Sequence, residues 1–151
     1  MADHLVLDVV IDATPERVFA AITDWPGQGE WMVGTRVRAV EPPGQGVGAR
    51  LEAFTGVGRL GFLDTMTVTA WDPPRRVDVL HTGDVVRGTG TFEVLALPGG
   101  RSRFVWAEQI EVPGGAAGRA GWVLARPAFR YGVQRSLRTF ARLVESGRLG
   151  G

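Results

Sequence analysis

VDVLHTGDVVRGTGTF, residues 77–92, holds two runs of strand-forming residues around a Gly-Asp pair. Val77, Val79 and His81 alternate with Asp78, Leu80 and Thr82, the period of two that turns successive side chains to opposite sheet faces. Gly83-Asp84 suits a two-residue hairpin loop, with glycine in the first central position of a type II′ turn. Such a loop pairs His81 with Val86, Val79 with Gly88 and Val77 with Gly90. The stretch therefore predicts an antiparallel hairpin, and it sets a histidine on a face otherwise built of valine and glycine. An imidazole so placed needs a hydrogen-bonding partner or a chemical purpose.

Neighbouring stretches extend the same sheet. RLGFLDTMTVTAW (59–71) is a long strand with Phe62, Met66, Val68 and Ala70 on one face and threonines on the other. With DPPR as a four-residue loop, Met66 opposes His81 and Val68 opposes Val79. Beyond the hairpin, VVRGTGTFEVLAL and RSRFVWAEQIEV flank PGG; as a three-residue loop it sets Phe92 opposite Trp106 and Gly90 opposite Glu108. A one-residue slip there would bring Arg103 onto the face of Phe92. Three polar side chains, Asp64, His81 and Glu108, thus share an apolar face. Asp64 lies diagonally across from His81, about 7–8 Å away at Cα, within reach of a hydrogen bond. Glu108 falls about two residue pairs from the His81 level, and its expected partner is Tyr131 or an arginine.

The rest of the chain supplies the frame. LVLDVVIDA places Leu5, Leu7, Val9 and Ile11 on one face and Asp8 and Asp12 on the other, a half-buried strand. ATPERVFAAI begins a helix: Thr14 is a good N-cap, Pro15 suits the first helical position, and Glu16 favours the positive end. TDWPGQGEWM breaks that helix, and TRVRAVE and ARLEAF read as strands. From Pro127 to Glu145, Phe129, Val133, Leu137, Phe140 and Val144 recur every three or four residues opposite Arg135, Arg138 and Arg142, which predicts a long amphipathic helix. Before Pro127, GGAAGRAGWVLAR reads as loop plus a separate helical turn, with the proline as a start or kink. Two short N-terminal helices, a meander of strands and one long helix make an α+β fold with an antiparallel sheet.

Composition excludes several functions. The chain has 151 residues, enough for one domain over 1–151, and no cysteine, so neither disulfides nor thiolate chemistry arise. No apolar run is long enough to span a bilayer, and MADHLVLDVVID carries acids where a signal peptide needs a basic start; a cytoplasmic location is expected. Basic and acidic residues number 17 and 16, every basic one an arginine. Residues 113–151 hold seven arginines against Glu145 alone. No aromatic-plus-basic motif accompanies that basic segment, so nucleic acid is not an expected partner. GVGRLG matches the spacing of a dinucleotide-binding loop, but a strand pattern follows it where a helix is required, so the glycines read as a hairpin or bulge. His4 and His81 lack metal-ligand spacing, and Ser102, Ser136 and Ser146 lack a nucleophile elbow. No cofactor and no metal are expected.

IDATPERVFAAITDWPGQGEW, VTAWDPPRRV, GTGTFEV and the terminal amphipathic helix together resemble the START-like (SRPBCC) superfamily, in particular its polyketide cyclase/dehydrase and lipid-transport proteins. The resemblance covers essentially the whole chain. It implies a helix-grip fold, in which a curved seven-stranded antiparallel sheet wraps the C-terminal helix around an apolar cavity. Its members include carriers, receptors, ring-closing enzymes and co-chaperones, so the fold alone leaves function open.

Three readings follow. The first is binding of a small hydrophobic molecule, by a monomer or homodimer. Its polar contacts would be Asp64, His81 and Glu108, and its walls Met66, Phe92, Trp106, Phe129 and Val133. The second is cofactor-independent cyclase or dehydratase chemistry, with Asp64, His81 and Glu108 as acid–base candidates titrating near neutrality. The third is a co-chaperone-like interaction module built on the basic helix.

Overall fold

The computed structural model describes residues 2–150. Strands β1 (Ala2–Ile11), β2 (Thr35–Ala39), β3 (Arg50–Val57), β4 (Leu60–Asp72), β5 (Arg76–Thr82), β6 (Arg87–Leu97) and β7 (Arg101–Glu111) form one antiparallel sheet in the order β1-β7-β6-β5-β4-β3-β2. The helices are α1 (Pro15–Ile22) and α2 (Gly115–Glu145), and the second short N-terminal helix is a 3-10 turn, Pro26–Glu30. The curled sheet grips α2, the helix-grip arrangement.

Local chemistry places each element. Thr14 caps α1 by accepting from the Arg17 amide, and Pro15 fills a position whose N–H would go unused. Val18, Phe19, Ala21 and Ile22 then face the core. The Arg17 guanidinium donates to the Val144 carbonyl at 2.7 Å, which ties α1 to the last turn of α2. Leu137, Phe140 and Val144 bury completely, and Phe140 meets Trp31 at 4.7 Å and Phe104 at 5.1 Å between ring centroids.

α2 is one continuous helix of 31 residues, not a helix beginning at Pro127. Proline removes one backbone donor, and the carbonyl it leaves unpaired belongs to exposed Val123, where water can satisfy it. The early turns are held from outside the helix instead. Asp3 accepts from Trp122 Nε1 at 2.6 Å and from Arg126 Nε at 2.7 Å. Arg126 and Gln134 also donate to the His4 and Asp8 carbonyls, covering part of the outer edge of β1.

The halves of α2 therefore differ in energetics. Leu137→Ala should cost about 2–5 kcal/mol in urea unfolding, because the residue packs on every side. Leu124→Ala, at a site 83% exposed, should stay within about 0.5 kcal/mol. Equal losses at the two positions would contradict this division.

Two registers differ instructively from the reading of the sequence. Thr82 pairs with Arg87, so the β5–β6 loop is Gly83–Val86 rather than a two-residue turn, and His81 pairs with Gly88 and Val79 with Gly90. Gly83 does not take the left-handed conformation; Gly88 does, at φ +119°. A Cβ on Gly88 would sit 1.8 Å from the Gln109 carbonyl oxygen, so glycine's freedom serves a close strand approach and not the turn. Between β4 and β5, Asp72 pairs with Arg76 across a shorter turn, and a bulge between Val68 and Ala70 restores Met66 opposite His81. PGG is the three-residue loop expected, with Phe92 opposite Trp106 and Gly90 opposite Glu108.

Candidate functional site

Between the sheet and α2 lies a cavity of about 490 Å³ with mainly apolar walls. Phe92 and Trp106 stand on its sheet side, edge to face at 5.3 Å, with Met66 on β4. Phe129 and Val133 close it from α2. All five expected wall residues line it, as do Asp64, His81 and Glu108. Sequence reasoning missed Trp25 and Gln28, beside and within the 3-10 turn, and Val85 in the β5–β6 loop; Val86, expected on the cavity face opposite His81, lines the cavity from that loop instead. In the sequence both valines read as the start of a strand, which left Val85 on the opposite face. Gln28 carried no signal, because its burial depends on the long-range packing of that turn.

The polar trio is compact. His81 Nδ1 lies 2.8 Å from Asp64 Oδ2, and its Nε2 lies 3.1 Å from Glu108 Oε2. Trp106 Nε1 donates to the other Glu108 oxygen at 2.8 Å. This corrects the expectation that Glu108 would find Tyr131 or an arginine; Tyr131 is 63% exposed. The cause is the β5–β6 register. It sets Val79, Gly90 and Glu108 abreast, one residue pair from the His81 level instead of two. Gly90 completes the geometry, since a Cβ there would lie 3.0 and 3.1 Å from the Glu108 oxygens. Glu108 reaches His81 across a strand that has no side chain at that point.

The protonation state follows from the contacts. A neutral imidazole has one N–H, whereas the imidazolium donates from both nitrogens, and here each nitrogen faces a carboxylate. Burial opposes the charge, with the His81 side chain 6% exposed, but hydrogen bonds and attraction from Asp64 and Glu108 outweigh it and push the pKa up to about 10. His81 is therefore cationic at neutral pH. The near-neutral titration expected from sequence does not apply to it. The two ring nitrogens point apart, each toward its own carboxylate, so the three groups do not converge on a common centre as metal ligands would.

Asp64 has a further property. It is 7% exposed, and its Oδ1 has no hydrogen-bond partner among the described residues. A buried carboxylate oxygen without a donor is costly, and such groups concentrate where function requires them.

The curled sheet, the gripped helix and the cavity between them define a START-like helix-grip protein. Residues 3–145 match the polyketide cyclase / dehydrase and lipid transport family, and the chain belongs to it. Among solved structures, TTHA0849 from Thermus thermophilus superposes with a TM-score of 0.80 at 18% identity, over 96% of this chain and 99% of that one. The Zhui aromatase/cyclase from Streptomyces sp. R1128 gives 0.79 at 14% identity, over 96% and 94%. The di-domain ARO/CYC BexL of the BE-7585A biosynthetic pathway gives 0.72 at 16% identity, over 95% of this chain and 46% of that one. At these identities the likeness shows the fold. No curated protein matches the chain in sequence. No helix among the described residues is long and apolar enough to cross a membrane. Family membership supports a ligand-binding or cyclase role.

Proposed function

We propose that the chain binds a small hydrophobic molecule in the cavity, oriented by Asp64, His81 and Glu108. The observation that carries this reading is the contrast within the cavity. Its walls are mainly apolar, and its three interacting charged side chains form one hydrogen-bonded group on the sheet side. An apolar enclosure with a few fixed polar groups is the usual design of a small-molecule site, and about 490 Å³ falls within the usual size range. Native mass spectrometry of protein purified from its own host should show a retained small molecule. Phe129→Ala should loosen its retention while lowering stability by less than about 1 kcal/mol, since that residue is 39% exposed. Failure to retain any hydrophobic compound, from the host or added, would remove the proposal.

The compact trio favours one second reading, acid–base cyclisation or dehydration of a polyketide-like substrate. Dehydration takes a proton from carbon and delivers one to a leaving hydroxyl. Asp64 and Glu108 are acceptors, and the His81 imidazolium between them is a donor, so a proton taken at one carboxylate can pass along the chain without a cofactor. With His81 cationic to about pH 10, any rate depending on that cation should fall on the alkaline side, not between pH 5 and 8. An alkaline limb that survives His81→Gln would argue against this reading.

A further inference from the structure

We propose that the cavity selects a neutral ligand bearing free hydroxyl groups and rejects anionic amphiphiles. The inference rests on the binding reading above and specifies its chemical class. Its basis is the state of the hydrogen-bond donors around the cavity. Both N–H groups of His81 are held by Asp64 and Glu108, and the Trp106 indole is held by Glu108. Trp25 donates to the Gly44 carbonyl at 2.9 Å, Gln28 to the Ile22 carbonyl at 2.8 Å, and Ser136 to the Gly132 carbonyl at 2.9 Å. The Trp122 indole is committed to Asp3.

The Trp31 indole N–H is buried and unpaired among the described residues, but Trp31 packs behind Phe92 and Trp106 and does not line the cavity. The acceptors that do line it are in the opposite condition. Asp64 Oδ1 is buried without a donor among the described residues. Charge points the same way. Asp64 and Glu108 face a single cation, His81, and no arginine among the described residues lines the space although the chain has 17. A ligand carboxylate or phosphate would add like charge to an enclosed, weakly screened site and meet no free cationic donor there. A ligand hydroxyl supplies what the Asp64 carboxyl lacks. The apolar walls take the rest of the molecule.

Isothermal titration calorimetry at pH 7 with three compounds on one ring system tests this: 2,6-dihydroxynaphthalene, 2,6-dimethoxynaphthalene and naphthalene-2,6-dicarboxylate. The diol should bind about tenfold more tightly than the diether, one hydrogen bond's worth, and the dicarboxylate more weakly than either. Asp64→Asn should shrink the preference for the diol over the diether. A dicarboxylate that binds as tightly as the diol, or a diether indistinguishable from it, overturns the selectivity while leaving the binding site intact. If none of the three binds, the inference is overturned, and the binding reading falls with it if no other hydrophobic compound is retained.

Discussion

His81→Ala is expected to lower stability by about 3–5 kcal/mol, the usual consequence of removing one member of a buried ionic group. The loss has little to do with the attraction given up and much to do with what remains. Without the ring, Asp64 Oδ2 and Glu108 Oε2 face a void with no donor between them, and Asp64 then has neither oxygen satisfied. If that is the mechanism, neutralising a carboxylate should help the damaged protein. Adding Asp64→Asn to His81→Ala should recover about 1–3 kcal/mol, although Asp64→Asn alone should destabilise. Urea unfolding of the four proteins at pH 7 measures this coupling directly. A His81→Ala variant within about 1 kcal/mol of the parent, or a double variant worse than either single one, would mean that the trio is not a buried ionic unit. The same variants separate the two functional readings. In a carrier, the loss of His81 weakens binding of a hydroxylated ligand. In an enzyme it abolishes turnover while binding largely persists.

The fold was legible because its determinants are local. The period of two in 59–111, the Thr14-Pro15 helix start and the spacing of Phe129, Val133, Leu137, Phe140 and Val144 each specify an element without reference to the others. The PGG loop carried its register in its own three residues. The hairpin at Gly83-Asp84 did not. Both the two-residue and the four-residue loop keep His81, Val79 and Val77 on the cavity face, because a shift of two preserves the pleat. The four-residue loop is the one that forms, and nothing in Gly83 and Asp84 themselves marks it over the shorter one.

The Met66–His81 pairing was anticipated for a reason only partly right, since a turn one residue shorter and a bulge near Thr69 offset each other. For the site, the residue types and the shared face of Asp64, His81 and Glu108 could be read from alternation. Their closeness could not, because it depends on the hairpin register and on Gly90 leaving its place open. The first half of α2 was obscured by glycine, alanine and a proline, residues whose helical state here depends on Asp3, more than a hundred positions away.

The largest solvent-controlled effect should be a loss of stability on the alkaline side. His81 titrates near 6.5 in an unfolded chain and at about 10 in the folded protein, so folding takes up a proton between those values. A raised folded-state pKa stabilises fully below the unfolded value, and the contribution disappears as pH climbs through the folded one. Stability should therefore be highest, as far as His81 determines it, below about pH 6.5, and decline by on the order of 4 kcal/mol toward pH 10. The opposite trend would be expected of a histidine buried neutral, which is the reading an apolar strand face alone suggests. Urea unfolding at pH 6, 8 and 9.5 should show this slope in the parent and a flatter one in His81→Gln, where no titrating group stands between the carboxylates. The ring itself gives the independent check, since its nuclear magnetic resonance signals should keep imidazolium shifts through pH 8 and move only toward pH 10. A midpoint between pH 6 and 7 would show that the two carboxylates do not hold the proton, and the charge argument for the cavity would have to be redrawn from Asp64 and Glu108 alone.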